Sequence, residues 1–308
     1  MTTSIGSSNL AFRSSWLGNE GGQAVEVIRG AKELGLFNVE LGPHLNADPP
    51  EKLSRLFKEE MIRVAAVQSA LSTGGGSSEF LEADTLADPR PAAAQKSIAL
   101  TLETAKAARL LGAGKVILHP GTLRDEKLKK IHENFSDLFR KEGMTEEATV
   151  LIKKGRAIAE GSREAWLDRI IRILFDLLRA EPEITFCLEN RYAFHELPDL
   201  PGLSYIFEDL KSPRLKYWHN TGWAHVQEIT GLVDAGAWLD TFGGRTAGVH
   251  LHDAAGLDTH LPPGCGDVDF RGVIDALPRD AIRVIDLGIA ATTEEIKLGI
   301  HELKRLGL

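Results

Sequence analysis

The chain has 308 residues, 43% of them hydrophobic and 26% charged, and a formal net charge of −8. This composition is ordinary for a globular protein, and the acidic balance disfavours a nucleic-acid partner because it repels phosphate. No apolar run reaches the length of about 18 residues that a membrane span needs, and the N-terminus lacks the pattern of a signal peptide. Two cysteines cannot form a disulfide framework, so we expect free thiols and a cytoplasmic location.

Short β-rich runs alternate with amphipathic stretches along the chain, which is typical of a parallel sheet. The predicted strands are 4–11, 36–41, 62–69, 115–119, 184–189, 214–219, 246–252 and 282–287. Eight strand–helix repeats predict one closed (β/α)₈ TIM barrel, an α/β fold, as a single domain over residues 1–308. A doubly wound open sheet is the alternative, but no GxGxxG motif follows a strand.

The amphipathic stretches predict helices and one insertion. The predicted helices are 22–35, 92–112, 163–180 and 292–306. Gly35 is expected to end the first helix, and Thr292 with Glu295 to cap the last one. Segment 123–160 is highly charged, helix-prone and longer than an ordinary connection. We interpret it as a helical insertion after the fourth strand, with a lid and a solvated decoration as equal alternatives. GGGSS at 74–78 is expected to be a flexible loop.

Histidines concentrate where enzymes of this fold place their active sites, at the C-terminal ends of the strands. Eight of the ten lie at predicted strand ends or just after them: His44, His119, His195, His219, His225, His250, His252 and His260. A single histidine in such a place is usually a satisfied core or loop residue. Several converging imidazoles each need a polar partner, so the pattern predicts a polar site at the barrel mouth.

Strand parity selects the side chains that point into the barrel, because successive side chains alternate. In the fifth predicted strand, Phe186 and Leu188 suit the helix-facing side, so Glu189 points inward. The same rule gives the inward set His119, Glu189, Asn220, His250, His252 and Asp286. A buried carboxylate is costly unless it is paired or binds a metal. Glu189 and Asp286 with an imidazole suit Mn²⁺, Mg²⁺, Co²⁺ or Zn²⁺, and a hydrogen-bonded network without an ion is an equal alternative.

Four motifs resemble those of the xylose isomerase-like barrel superfamily. HLHDAAGLDTHLPPGCGDVDF at 250–270 resembles its seventh strand end and the turn that follows. LEN at 188–190, HPG at 119–121 and HNTGWAH at 219–225 resemble the ends of strands five, four and six. The superfamily holds sugar isomerases, ketose and sugar-phosphate epimerases, dehydratases and type IV endonucleases.

The resemblance implies that a divalent ion is held by Glu189, Asn220, His250 and Asp286. Asn220 stands where the family carries Asp, and Asp286 where it carries Glu. Trp223 replaces a histidine, and His252 replaces a common lysine. Two ligand carboxylates just neutralise a divalent ion, so we expect weaker binding than with three.

The resemblance also implies proton abstraction next to a carbonyl group of a small sugar, polyol or related substrate, giving isomerisation or epimerisation. Glu189 and Asp286 would act as base and acid, with His252 as an acid or as an orienting group. The residues expected to bind the substrate are His119, Trp223, His225, His260 and Asp258. Trp16, Trp218 and Trp223 form either an apolar wall against the substrate or ordinary core.

Three other hypotheses are weighed against an isomerase or epimerase. The short reach of Asp286 favours a one-base reaction, so a lyase or dehydratase of the same superfamily is an alternative. The substitutions at the ligand positions favour a degenerate, metal-free binding protein. Asp258 and His260 match an endonuclease pair, but Gln68 or Ser69 stands where that branch carries His, so we reject DNA cleavage. A homo-oligomer is expected only by analogy with the family.

Overall fold

A computed structural model describes residues 9–17, 23–42, 49–69 and 86–308. In chain order the strands are β1 Leu10–Arg13, β2 Asn38–Leu41, β3 Arg63–Gln68, β4 Lys115–Leu118, β5 Gly121–Thr122, β6 Thr185–Glu189, β7 Glu196–Leu197, β8 Leu215–Asn220, β9 Thr246–Leu251, β10 Asp253–Ala255, β11 Asp258–Leu261 and β12 Ile282–Ile285. Eight of them close a barrel in the order β1-β12-β9-β8-β6-β4-β3-β2, with parallel pairing. The predicted TIM barrel is confirmed.

Each predicted strand overlaps one barrel strand, although the first lies later in the chain than predicted. β1 begins at Leu10, whereas the prediction ended at Ala11. Most of that predicted strand, the loop at 74–78 and His44 lie outside the described residues. Two short antiparallel ribbons, β5 with β7 and β10 with β11, lie beyond the barrel strands.

Helices follow the strands on the outside of the barrel. They are α1 Ala24–Leu34, α2 Pro50–Glu59, α3 Pro91–Leu110, α4 Glu126–Glu142, α5 Glu146–Ala180, α6 Leu200–Leu210, α7 Thr221–Ile229, α8 Ala235–Phe242, α9 Phe270–Ala276 and α10 Thr293–Arg305. Gly35 ends α1 in the left-handed conformation, and Thr292 with Glu295 forms the predicted capping box of α10. No helix in the described ranges is both long and apolar enough to cross a bilayer.

Side chains on the two faces of the barrel wall pack into two separate clusters. Phe186 and Leu188 pack in the main core outside the wall. A second cluster fills the interior with small and medium side chains around one large ring: Ala11, Ala65, Ala66, Ile117, Cys187, Trp218, Ala247, Ile282 and Val284. Trp218 is fully buried there, and a Cβ at Gly248 would overlap its ring. Trp218 is therefore core and forms the floor below the mouth.

The predicted insertion consists of α4 and the first part of α5, which continues as the helix predicted at 163–180. Phe135 of α4 packs against Ile152 of α5, and Leu257, between β10 and β11, packs against the same cluster. The insertion therefore reaches from the end of β4 to the ribbon that follows β9.

Candidate active site

The six side chains predicted to point inward come together at the C-terminal end of the barrel. They lie at or just after the ends of neighbouring strands, and five of them are almost completely buried: Glu189, Asn220, His250, His252 and Asp286. His119 follows β4 and keeps 29% of its side chain exposed. Parallel strands place their ends at one rim, so the convergence follows from the fold.

Glu189 is the centre of this cluster. Its Oε1 lies 2.5 Å from His250 Nδ1 and accepts a hydrogen bond of 2.9 Å from Asn220 Nδ2. Its Oε2 contacts His119 Nε2. Burial alone would raise the pKa of Glu189, but His250 and His119 hold that pKa well below its usual range. The side chain is therefore a buried carboxylate with a partner on each oxygen.

His250 lies between two buried carboxylates. Its Nδ1 faces Glu189, and its Nε2 lies 2.8 Å from Oε2 of Glu40 at the end of β2. Burial lowers the pKa of His250, but Glu40 and Glu189 outweigh it and raise the pKa to about 10. An imidazole that binds a metal through one ring nitrogen usually has a carboxylate at the other nitrogen. With Glu40 at Nε2, Nδ1 is the atom that His250 would offer to an ion.

Asp286 is held by an arginine that the sequence interpretation missed. Arg13 Nη1 donates a hydrogen bond of 2.6 Å to Asp286 Oδ2, and Arg13 Nε lies 3.4 Å from Glu40 Oε1. Burial would raise the pKa of Asp286, but Arg13 and then His260 lower it strongly. Both missed residues obey parity, because Ala11 and Arg13 share one side of β1 and Glu40 lies between the outward Val39 and Leu41. Applying the rule to the second predicted strand would have found Glu40, whereas Arg13 lies beyond the end of the first predicted strand.

Asn220, one of the predicted ligands, uses its carbonyl oxygen in two contacts within the protein. Its Oδ1 accepts a hydrogen bond of 3.0 Å from the Trp223 amide, which caps α7, and lies 2.7 Å from His252 Nε2. The His260 amide donates to His252 Nδ1 over 3.0 Å, so the proton of His252 lies on Nε2 and is donated to Asn220. The oxygen that would bind an ion is thus already occupied by two donors.

His252 and His260 form a stacked pair, with ring centroids 4.3 Å apart. Burial, followed by His260, lowers the pKa of His252 to about 3, so its imidazole is neutral. His260 has a φ of 60°, a conformation that is uncommon for a residue with a Cβ. Its Nε2 lies 3.7 Å from Asp286 Oδ2. These three residues offer ligand atoms within 4.8 Å of one another.

The rim of the mouth is formed by aromatic and basic side chains. The Arg191 guanidinium lies 4.2 Å from the centroid of Trp223, and its Nη1 donates to His119 Nδ1 over 3.3 Å. Glu196 accepts from Arg191 Nε at 2.8 Å. Burial and then Arg191 lower the pKa of His119. A neutral His119 that accepts at Nδ1 donates from Nε2 to Glu189.

Two residues predicted to bind substrate are not part of the cluster. His225 lies on α7 with Nδ1 3.9 Å from Glu228, and Asp258 is exposed on β11. In the described part of the chain neither lies within hydrogen-bonding distance of Glu189. Trp16 donates from Nε1 to the Ala291 carbonyl over 2.8 Å, whereas Trp223 packs edge-on against His119 and His252, and Trp218 packs edge-on against His250 from below.

Glu189, His250 and Asp286 carry donors of the kind that divalent ions bind, whereas the described residues whose ligand atoms all lie within 4.8 Å of one another are His252, His260 and Asp286. Two carboxylates and one imidazole are suitable ligands for Mn²⁺, Mg²⁺, Co²⁺ or Zn²⁺. The His250 Nδ1 lies 3.8 Å from Asp286 Oδ2, a spacing that two ligands of one ion can adopt, and Glu40 supports the other nitrogen.

Comparisons with known proteins agree with this architecture. A family model described as xylose isomerase-like TIM barrel matches residues 20–295. A D-psicose 3-epimerase from Clostridium cellulolyticum H10 is 11% identical with a TM-score of 0.67, and 96% of this chain and 98% of that chain are covered. A 3-keto-D-glucoside 4-epimerase from E. coli is 14% identical with a TM-score of 0.66, and the coverage is 96% and 99%.

An IOLI protein with a zinc atom is 12% identical with a TM-score of 0.66, and 96% of each chain is covered. No curated protein matches the sequence. Identities this low show a shared fold, whereas the family model spans most of the chain. The chain belongs to the xylose isomerase-like TIM barrel family.

Proposed function

We propose that this protein is a metal-dependent isomerase or epimerase that abstracts a proton next to a carbonyl group of a small sugar, polyol or related compound. The observation that carries the proposal is Glu189, a fully buried carboxylate at the barrel mouth with one oxygen facing His250 and the other facing the partly exposed His119. A buried anion is retained at such a place when it has a task or a cation to bind. The epimerases of similar fold support the same class of chemistry.

Glu189 is the proposed base. Its Oε1 faces His250 and the ion position, while Oε2 faces His119 at the open side of the cluster. The free lone pair of Oε2 can take the substrate proton, and the N–H of His119 keeps the carboxylate in place. A bound divalent ion, held by Glu189, His250 and Asp286, would supply a Lewis acid for the substrate carbonyl.

The other residues of the mouth position the substrate. His252 and His260 are proposed to orient hydroxyl groups, since His252 is neutral and donates a hydrogen bond from Nε2. Trp223 is 6% exposed and lies beneath the Arg191 guanidinium, so it gives the substrate an apolar wall. His119, whose ring is partly exposed, is also proposed to contact the substrate.

The test is proton exchange at the carbon next to the carbonyl. The protein with Mn²⁺ is incubated with a panel of aldoses and ketoses in D₂O, and NMR follows deuterium incorporation. The Glu189→Gln variant should lose roughly 10²- to 10⁴-fold in rate, the usual contribution of a general base. The Glu181→Gln variant is a matched control, because Glu181 is also buried but precedes β6 at the opposite end of the barrel. Exchange that survives in Glu189→Gln would remove the proposal.

A one-base lyase or dehydratase is the second candidate, and the Arg13–Asp286 contact favours it. A carboxylate that already accepts from a guanidinium at 2.6 Å is a poor proton acceptor, so Asp286 is not equipped to act on the opposite face. Loss of water from the substrate, detected in the same NMR spectra, would favour this candidate over epimerisation.

A metal-free binding protein is tested separately by metal content. Arg13 and the His250 imidazolium already offset two of the carboxylate charges in the cluster. If the protein retains none of Mn²⁺, Co²⁺ or Zn²⁺ and shows no thermal shift with them, the metal-dependent function is lost.

A further inference from the structure

Arg13 lies between two carboxylates because of the way the barrel closes. Its strand, β1, pairs with β2 on one side and with β12 on the other. Arg13 is in register with Glu40, and Phe12 is in register with Ile285, the residue before Asp286. The guanidinium is therefore directed at Glu40 and Asp286 by the backbone register, and its side chain is only 9% exposed.

One oxygen of Asp286 serves two purposes in this arrangement. Oδ2 accepts from Arg13 Nη1 at 2.6 Å, and the same oxygen lies 3.8 Å from His250 Nδ1 and 3.7 Å from His260 Nε2. An ion bound between Asp286 and either imidazole therefore meets an oxygen that the guanidinium already occupies. Two like charges close to one oxygen repel each other, strongly so where water is excluded.

The charges of the buried cluster can be summed. Glu40, Glu189 and Asp286 contribute three negative charges, and Arg13 contributes one positive charge. With His250 neutral, as an ion ligand must be, two negative charges remain, which one divalent ion neutralises. Without Arg13 three negative charges would face the ion, and the attraction would be larger.

We propose that Arg13 is a built-in cation of the ion site that shares Asp286 with the divalent ion and thereby keeps the affinity for the ion low. The inference rests on the ion of the proposed function and adds a positioning residue from β1. An ion held in this way exchanges readily, and Asp286 stays in place as an anchored anion. The proton transfer is then left to Glu189.

The experiment measures Mn²⁺ affinity by calorimetry, with electron paramagnetic resonance as a check on the free ion. The Arg13→Gln variant should bind Mn²⁺ roughly tenfold more tightly or better, since the repelling charge is gone. The Arg13→Lys variant keeps the charge and should stay close to the unmodified protein. Arg283→Gln is the matched control, because Arg283 lies on β12 near its start and donates to the Arg279 and Ala281 carbonyls.

The opposite result has a clear meaning. If Arg13 only holds Asp286 in position, its removal should make Asp286 more mobile and weaken Mn²⁺ binding. Unchanged or weaker Mn²⁺ binding in Arg13→Gln therefore overturns the inference. If the unmodified protein binds Mn²⁺ but Arg13→Gln gains nothing, this inference fails while the proposed function stands. If neither protein binds Mn²⁺, the metal-dependent function fails with it.

A second measurement uses the unmodified protein and does not require that Arg13→Gln folds. In protein labelled with ¹⁵N-arginine, addition of Zn²⁺ should shift the guanidinium resonances of Arg13 and leave those of Arg283 in place. The Asp286→Asn variant removes the shared carboxylate and should abolish the shift. A Zn²⁺ titration that leaves the Arg13 signals unmoved would contradict a shared oxygen.

Discussion

Glu40 and His250 lie 210 positions apart in the chain, yet Oε2 of Glu40 and Nε2 of His250 lie 2.8 Å apart in the fully buried centre of the barrel mouth. They come from β2 and β9, which are not neighbours in the barrel. The contact therefore crosses the lumen and fixes which nitrogen of His250 turns toward Glu189. The contact links β2, where no ligand was predicted, to β9, which carries the predicted ligand His250.

Glu40→Gln should weaken Mn²⁺ binding by roughly 10- to 100-fold, the usual effect of losing a carboxylate behind a ligating imidazole. The amide oxygen can still accept from Nε2, so the ring stays in place and only the charge is lost. Calorimetric titration with Mn²⁺ measures the change. The sign is opposite to that expected for Arg13→Gln, although both residues contact the same cluster.

Opposite signs for the two variants distinguish an electrostatic effect from a packing effect. A loss of packing would lower the affinity in both cases. Glu181→Gln, at the other end of the barrel, should leave Mn²⁺ binding unchanged. Equal affinity in Glu40→Gln and the unmodified protein would show that His250 is not the ligand.

Asn220→Asp should make the protein less stable without metal and more responsive to it. The new carboxylate can still cap α7 through the Trp223 amide, but it faces Oε1 of Glu189, from which the Asn220 amide nitrogen is now 2.9 Å away. Like charges at that distance repel, and a divalent ion relieves the repulsion. Thermal unfolding with and without Mn²⁺ should show a lower midpoint without the ion and a larger increase on its addition.

A matched control for that variant is Asn190→Asp, since Asn190 is equally buried and immediately follows Glu189. Its Oδ1 accepts from the Tyr217 hydroxyl and from the backbone N–H of Asn220, and its Nδ2 donates to the Asn220 carbonyl oxygen, so an aspartate there faces backbone and a hydroxyl and not Glu189. We expect no added response to Mn²⁺ in this control. The same midpoint shift in both variants would mean that position 220 does not face the ion.

The sequence was sufficient for the barrel and for the inward set, because both depend on local rules. Alternation in β6 and β9 placed Glu189 and His250 inward, and their strand ends could only meet at one rim. Arg13 was missed because β1 was predicted too early, which left that residue in a loop. Glu40 was missed because a lone carboxylate in a short strand carries no motif, although parity placed it inward.

The partners of each residue could not be read from the sequence. Asn220 matches a ligand position in the family, but its oxygen caps α7, and this depends on where the helix starts. Asp258 matches a family motif as well, yet the turn between β10 and β11 leaves it exposed. Side-chain partners depend on register and backbone turns, which residue spacing alone does not determine.

Gly222→Ala should impair the site although alanine is the better helix former. Gly222 lies in the first turn of α7, and a Cβ there would overlap the imidazole of His252. The ring must then move away from Asn220 and from its stacking position on His260. We expect a substantial loss of activity in the deuterium-exchange assay with a folded protein.

Gly161→Ala provides the comparison for that substitution. Gly161 lies inside α5, and no atom lies within 4 Å of a Cβ built there. Alanine should raise stability by up to about 1 kcal/mol through helix propensity, with no change in activity. Unchanged activity in Gly222→Ala would mean that the position of His252 does not matter for catalysis.

The protein should lose stability in mild acid through His195, which lies outside the catalytic cluster. Burial and then neighbouring His132 lower the pKa of His195 from 6.5 to about 4. The unfolded chain takes up a proton at this residue as the pH falls below about 6.5, while the folded chain does so only near 4. The stabilisation is thus present above pH 6.5 and is lost as the pH falls from 6.5 to about 4.

The thermal unfolding midpoint of His195→Leu should therefore fall less between pH 7 and pH 5 than the midpoint of the unmodified protein does. His301→Asn, which alters an exposed histidine of α10, should behave like the unmodified protein. An identical pH dependence in all three proteins would show that His195 is not held neutral by its surroundings.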